Sequence, residues 1–584
     1  MDNGSARTRM NVSNVLVIGS GAAGLRAAIA GYEAGTEVVV IGKRQRKDAH
    51  TVLAAGGINA ALGTRDPEDS WQQHFADTLK EGYYLSDPRV VEIMAREAPR
   101  VINELVEWGC PLARTEEGEL DQRFFGAHKY RRTCYAGDYT GRAILYTLAD
   151  KVEELGTPVI EGQYVSKLLV HEGRCFGALA FDIESGERTV HLADAVVLAA
   201  GGHTRLWRRS SSRRDENTGD GMFLALEAGC RLSDMELVQF HPTGMVHPED
   251  WAGTLVTEAV RGEGGRLFNA NGERYMERYD PERMELSTRD RVALANYTEI
   301  AEGRGTEHGG VYLDISHRDK AYILEKLPRM YRQYLDALML DISSGPMEVA
   351  PTSHYSMGGI LVEPETHATD VEGLYAAGET TAGLHGANRL GGNSLSETLI
   401  FGRRAGDAAA AFSLSSDMQL RSRAAIKEAN DELSSFIHEG DEFARPLQRA
   451  VRDTMWENCG VVRDEERLEK GLKKLAEVRE AARNVDVRPS SEGYADLAHA
   501  LDLRASLVTA EASLLGAVER KESRGAHSRS DYPETDPNLK INFVITRSED
   551  GGLSVSPQAV EVVSDELQEW LDEEEIQAAG RLLE

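Results

Sequence analysis

Val15-Leu16-Val17-Ile18-Gly19-Ser20-Gly21-Ala22-Ala23-Gly24 joins a short apolar run to a glycine-spaced turn, and an Ala-rich helical pattern follows it as far as Ala34. Gly35 stops that helix, and Val38-Val39-Val40-Ile41 is a second apolar run. The order strand, glycine turn, helix, strand predicts an α/β, Rossmann-like nucleotide-binding unit. Gly19 permits the tight turn, Gly21 lets backbone approach a pyrophosphate, and Gly24 lets the helix pack closely on the strand. Gly21, Ala22 and Ala23 open the helix whose N-terminus would hold the phosphates. Gly42-Lys43 stands at the end of the second strand, where an acid would answer a ribose hydroxyl, and this argues against NAD.

Three further segments point to a flavin. Ala195-Val196-Val197-Leu198-Ala199-Ala200-Gly201-Gly202 reads as a buried strand whose end, at Ala200 and Gly201, lets backbone pass close to a flat cofactor. Leu374-Tyr375-Ala376-Ala377-Gly378-Glu379 is a short strand ending in an acid suited to hydrogen-bond a ribityl chain. Lys47-Asp48-Ala49-His50-Thr51-Val52-Leu53-Ala54-Ala55-Gly56-Gly57 carries a histidine where a flavin could be attached covalently. Together with the glycine turn, these resemble the recurrent FAD contacts of flavoproteins with two dinucleotide-binding domains.

Five chemistry-bearing segments then follow in order. They are Glu236-Leu237-Val238-Gln239-Phe240-His241-Pro242-Thr243-Gly244, Thr257-Glu258-Ala259-Val260-Arg261-Gly262-Glu263-Gly264-Gly265, Ser287-Thr288-Arg289-Asp290, His354-Tyr355-Ser356-Met357-Gly358-Gly359 and Asn388-Arg389-Leu390-Gly391-Gly392-Asn393-Ser394-Leu395. In this the chain resembles the flavoprotein subunits of succinate dehydrogenase and fumarate reductase, a family that also contains L-aspartate oxidase. The resemblance spans about residues 12 to 545. A small dicarboxylate needs donors at both ends, and Arg389 offers the planar fork that grips a carboxylate bidentately. His241, His354 and Thr257 are compact donors for the remaining oxygens.

The resemblance implies hydride transfer between a dicarboxylate methylene and the reactive flavin nitrogen, with a proton moving at the neighbouring carbon. It places Arg289 at the proton donor or acceptor, and Arg261 and Glu263 are expected to continue the relay toward solvent. An arginine pKa above about 12 suits a proton source for fumarate reduction, with the oxidation direction covered by microscopic reversibility. Lys43, Thr51, Gly56, Gly57, Asp220, Ser394 and Leu395 are implied cofactor contacts. His50 is the implied point of covalent attachment to the flavin methyl carbon, a bond that raises the flavin potential. Ala55 departs from relatives that carry Gln or Glu beside the flavin, which leaves the physiological direction open.

Phe125 separates succinate from aspartate. L-Aspartate oxidase places a glutamate there for the substrate's amino group and lacks the histidine found here at His50. A phenyl ring satisfies an ammonium only weakly, through its π face. L-Aspartate oxidase or a soluble fumarate reductase stays the alternative reading, and a non-catalytic flavin-binding scaffold is disfavoured by intact Arg289, His241, His354 and Arg389.

The chain has 584 residues, with 96 acidic against 66 basic side chains and a net charge of −30. That balance argues against nucleic acid and against direct adhesion to an anionic membrane. No apolar run approaches the roughly 18 residues of a membrane span, and Met1 to Asn14 lacks an apolar signal core. A cytoplasmic protein is expected, peripheral on the inner face of the cell membrane through partners. Cys110, Cys134, Cys175, Cys230 and Cys459 are scattered, with no pair at iron–sulfur or zinc spacing, so no metal site is expected. Electrons would pass to another protein, and the resemblance implies an iron–sulfur subunit, with a membrane anchor reached through it.

These placements divide the chain into an FAD-binding domain at 12–234 and 351–412, with an inserted α+β capping domain at 235–350. A helical domain at 413–525 and a C-terminal segment at 526–584 would follow, the latter ending in a candidate acidic helix from Asp565 to Glu584. Closure of the cap would exclude water from the substrate.

Overall fold

In the computed structural model, which describes residues 8–417, 421–489, 493–548 and 550–571, Arg9–Ile18 and Val38–Ile41 run in parallel, joined by the helix Ala22–Glu33. Two close approaches explain the glycines. A Cβ on Gly19, whose φ is +117°, would overlap the Ala199 carbonyl oxygen, and one on Gly24 would overlap the Gly19 carbonyl oxygen. Only hydrogen in place of a side chain lets the turn, the helix and the next strand meet.

The sheet has seven strands, in the order Val159–Ile160, Val38–Ile41, Arg9–Ile18, Arg188–Leu198, Arg174–Asp182, Gln163–His171, with Leu374–Ala376 also paired to Arg188–Leu198. Arg188–Leu198 is parallel to Arg9–Ile18 and to Leu374–Ala376 but antiparallel to Arg174–Asp182. Its end therefore lies beside the glycine turn, with Ala199 directly against Gly19. The central strands are apolar on both faces because helices cover both. Val15, Val17, Val38, Val40, Ala195 and Val197 pack with Ala27, Ala28, Ala405 and Ala409. The long helix Asn393–Ser415 seats here through Gly402 and Gly406, where a Cβ would strike the backbone of Ala23 and Ala27.

A second sheet is antiparallel, in the order Val238–Met245, Met347–Ser356, Val311–Asp314, Arg266–Phe268. It packs around Met245, Val260, Leu267, Leu313, Met347 and Val349. Met347–Ser356 runs without a break across residue 350, where the sequence suggested a boundary. Chain beyond 416 forms the helices Arg423–Ser435, Ala444–Asn458, Glu465–Ala482 and Ala495–Glu519, the last three packed side by side. The segment after residue 525 adds strands to the fold. Ile541–Arg547 and Leu553–Ala559 form a hairpin whose first strand pairs with Leu232–Ser233, which in turn pairs with Gly359–Ile360. Of the candidate acidic helix, Asp565–Gln568 is a single helical turn, and residues 572–584 lie outside the described residues.

Candidate active site

One cleft, with about 1920 Å³ free of protein atoms, runs from the glycine turn to the second sheet. Its lining runs from the glycine turn to Arg289 and Arg389, a span that suits a dinucleotide with a small substrate beside it. Gly19, Gly21, Ala22, Ala23, Lys43, His50, Thr51, Gly56, Gly57, Ala200, Gly201, Asp220, Glu379, Ser394 and Leu395 all line it. Phe125, His241, Thr257, Arg289, His354 and Arg389 line its other end. Gly24, Arg261 and Glu263 do not. Gly24 is a packing position, Arg261 is buried behind the wall, and Glu263 is half-exposed with its carboxylate on the Tyr322 hydroxyl.

At the cofactor end the chain fits FAD. Gly21 lies beside Thr51 Oγ1, which a Cβ there would meet at 3.5 Å and which accepts from the Ala22 backbone N–H at 3.2 Å. The first turn of Asn393–Ser415 presents Ser394 and Leu395 to the cleft, and its free N–H groups suit electronegative atoms of a flavin. Lys43, just past the second strand, is met by acids from elsewhere: Asp220, at the start of the helix Asp220–Ala228, holds Lys43 Nζ at 2.7 Å. Asp502 holds the same ammonium at 3.3 Å. Burial disfavours the charge on Lys43, but the two carboxylates outweigh it and its pKa is raised. Glu379 accepts from the Ser356 backbone N–H at 3.0 Å, and burial raises its carboxyl pKa.

His50 opens the short helix His50–Leu53. Its Nδ1 lies 2.8 Å from Glu216 Oε1. A carboxylate only accepts, so Nδ1 carries the hydrogen, and in the neutral ring Nε2 is left unprotonated.

At the substrate end, a β-bulge aims one of the two histidines. Gln239 pairs with Tyr355 and Phe240 with Ser353, which leaves His354 as the extra residue. Its ring meets His241 at a centroid distance of 5.2 Å, and its Nδ1 is 2.8 Å from Ser211 Oγ. His241 Nδ1 takes the Thr243 backbone N–H at 3.2 Å. Burial, reinforced for His241 by Arg289 and Arg261 and for His354 by His241 and Arg389, lowers both pKa values well below 6.5. Both rings are therefore neutral at physiological pH.

The charged groups form a chain. Arg289, first residue of the helix Arg289–Glu299, donates from Nε to Glu258 Oε2 at 2.8 Å and from Nη1 to Gln239 Oε1 at 3.1 Å. Arg389 Nη2 donates to the same Gln239 oxygen at 3.1 Å, and its guanidinium lies 4.3 Å from the Tyr355 ring centre. Arg261 Nη2 is 3.8 Å from Glu258 Oε2. Burial opposes the charge on Glu258, yet Arg289 and Arg261 hold its pKa down at about 2. Burial and the neighbouring Arg289 lower the Arg389 pKa to about 10, and its Nε is buried without a partner. Two guanidiniums, Arg289 and Arg389, face the cleft itself, which suits a dicarboxylate.

Glu258, and not Glu263, is the acid that the structure brings against Arg289 and Arg261. The helical turn Ala259–Gly262 explains the difference: residues three apart share a face and residues two apart do not. Glu258 therefore sits with Arg261, while Glu263 turns outward. That spacing was the available signal. Gln239 and Glu216 were also missed, because each is identified only by a partner distant in sequence. Phe125, 5% exposed, lies between Gly56 and Gly391, close enough that a Cβ on either would touch its ring. The five cysteines are buried and form no disulfide, and among the described residues no group of acids, histidines and cysteines could hold a metal ion.

Residues 14–395 match the family described as FAD binding domain, and residues 448–569 the one described as fumarate reductase flavoprotein C-term. The second match continues past residue 545, where the resemblance had been expected to end. A fumarate reductase (CoM/CoB) subunit of Methanothermobacter marburgensis is 44% identical over 536 residues, 91% of this chain and 97% of the relative. The succinate dehydrogenase flavoprotein subunit of Rickettsia bellii is 37% identical over 580 residues, 95% of this chain and 96% of the relative. A solved structure of E. coli quinol fumarate reductase superposes with a TM-score of 0.90 at 34% identity, covering 95% of this chain and 98% of that one.

Proposed function

The chain belongs to the family of succinate dehydrogenase and fumarate reductase flavoprotein subunits, FAD-binding oxidoreductases, and on that premise we propose that it interconverts succinate and fumarate with Arg289 as proton shuttle. The observation that carries this reading is the array Arg389, Gln239, Arg289, Glu258 and Arg261 at the end of the flavin cleft. Bound FAD supplies a two-electron hydride acceptor or donor. Arg389 grips one carboxylate, and neutral His241, His354 and Thr257 donate to the remaining oxygens. Arg289 delivers or takes the proton at the carbon beside the one exchanging hydride, and Glu258, fixed as a carboxylate, passes protons between Arg289 and Arg261.

The same reading makes His50 the covalent flavin site and the segment around the second sheet a cap that closes on the substrate. Arg261 then belongs to the relay, and Glu263 lies outside it. With the five thiols apart and buried, electrons leave through a partner that carries iron–sulfur centres. Among the described residues no helix is long and apolar enough to cross a membrane. An association with the cytoplasmic face of the cell membrane therefore runs through further subunits.

Phe125 supplies the test of substrate class. With no carboxylate at that position, aspartate should be turned over at least about 100-fold more slowly than succinate, as expected when an ammonium loses its partner. Rates with succinate and aspartate, measured with an artificial electron acceptor, check this. Comparable rates, with hydrogen peroxide and iminoaspartate as products, would support the aspartate oxidase reading instead.

A further inference from the structure

We propose that Glu216 is a positioning residue for covalent flavin attachment, holding His50 in the tautomer and orientation that present Nε2 as the nucleophile. The proposal rests on the covalent reading of His50 given above. His50 Nδ1 donates to Glu216 Oε1 at 2.8 Å across 166 residues of sequence. Glu216 is itself held in place: the Arg213 backbone N–H donates to it at 2.8 Å, and the Arg213 side chain donates from Nε at 3.1 Å and Nη2 at 2.9 Å. The same guanidinium donates to Asp48 Oδ1 at 2.7 Å and to the Asp48 carbonyl at 2.6 Å, two residues before His50. One arginine thus ties the histidine's own backbone segment to the carboxylate that orients its ring. Both His50 and Glu216 line the cleft.

A histidine that must react through one nitrogen gains from a fixed hydrogen bond on the other, which sets the tautomer and raises the basicity of the free nitrogen. Attachment removes one hydrogen from the flavin methyl carbon and one from the imidazole, and forms a carbon–nitrogen bond at Nε2. The electron pair released passes into the flavin. An unsaturated dicarboxylate then takes up both electrons and both hydrogens and leaves as the saturated acid, so the oxidant is the substrate of the proposed reaction. The imidazole becomes positively charged as the bond forms, and a carboxylate 2.8 Å away on its far side stabilises that charge.

The charged groups acting on His50 are Glu216, Glu379 and Arg213, with neutral His354 beside them. Burial alone would lower the His50 pKa, but the attraction and hydrogen bond of Glu216 exceed it and the pKa is raised. Attachment needs the neutral ring, so its rate should rise with pH through this raised value. Removal of the Glu216 charge should move the rise to lower pH and depress the plateau.

The test uses the parent, Glu216→Ala, Glu216→Gln and Glu216→Asp, each purified from riboflavin-starved cells and incubated with FAD and fumarate. Flavin fluorescence retained on the polypeptide after acid precipitation is followed over time and pH, beside total bound flavin before precipitation. The parent should retain its flavin. Glu216→Ala should attach it about 10- to 100-fold more slowly, the usual cost of losing an orienting partner, while still binding FAD. Glu216→Gln, which keeps an acceptor but loses the charge, should be intermediate with a lower pH midpoint, and Glu216→Asp should recover part of the rate. Parent-like rate and pH midpoint in Glu216→Gln and Glu216→Ala would overturn the role of Glu216 while the covalent reading stood. Release of all flavin by the parent would overturn the covalent reading and this proposal together.

Discussion

Arg289→Ala is expected to lower succinate–fumarate turnover by about 10⁴-fold and to leave the flavin content unchanged. General acid–base transfer by a positioned group contributes roughly 10²–10⁴, and a guanidinium at the developing charge adds electrostatic stabilisation. Both effects are lost with one side chain, and about 10⁴ corresponds to about 5 kcal/mol on the barrier. Arg289 bonds to Glu258 and Gln239, and none of its bonds reaches the glycine turn or the His50 segment, so FAD should stay bound. Steady-state rates in both directions, with flavin absorbance on the same samples, check this. Retention of most of the activity would remove Arg289 from the chemistry.

Glu258→Gln is expected to cost about 100-fold or more in turnover while the substrate KM changes little. The amide keeps the size and one acceptor for the Arg289 Nε–H, but it cannot cycle a proton. It also leaves Arg289 and Arg261 facing each other across a neutral group at the wall of the site. Glu263→Gln is the comparison, with an expected change below about 3-fold because its carboxylate is engaged with Tyr322 outside the cleft. Equal losses in the two variants, or a larger one at Glu263, would contradict the geometric assignment. The pH dependence has a definite sign. The Glu258 pKa falls from 4.5 to about 2 in the fold, so its charged form contributes stability above the unfolded value, and this is lost only as pH falls toward about 2. Glu258 should therefore give turnover no acidic limb near neutrality.

What the sequence made legible were features whose physics is local. The turn from Gly19 to Gly24 is readable because each glycine answers a contact a few residues or one strand away. The apolar runs at Val15–Ile18 and Val38–Ile41 are readable because both faces of a parallel sheet are covered. Substrate-end residues such as His241, His354 and Arg389 stood out through their motifs, and the structure brings them to one end of one cleft.

Features that depend on tertiary contact were not legible. Lys43 departs from the fingerprint on its own strand, and its acidic partners Asp220 and Asp502 come from helices far along the chain. The Glu216 carboxylate sits in a run of charged residues, Arg213-Arg214-Asp215-Glu216, that reads as solvated surface until His50 is placed against it. Glu258 and Glu263 are both acids flanking Arg261, and only the helical turn between them separates a buried position against Arg289 and Arg261 from an outward one. The hairpin formed by Ile541–Arg547 and Leu553–Ala559 escaped notice because its second strand is largely exposed and lacks a clean apolar alternation. The bulge at His354 is likewise a property of strand register and not of the residues' spacing.

The central claim is that this cleft exchanges a hydride and a proton with a C4 dicarboxylate. Its most direct test is anaerobic: the purified flavoprotein is reduced fully with dithionite, freed of excess reductant, and mixed with fumarate in a stopped-flow cell. The account predicts return of the oxidised flavin absorbance with one succinate formed per flavin, and loss of that fast phase in Arg289→Ala. Reduced flavin that persists in fumarate yet reoxidises when air is admitted would contradict it.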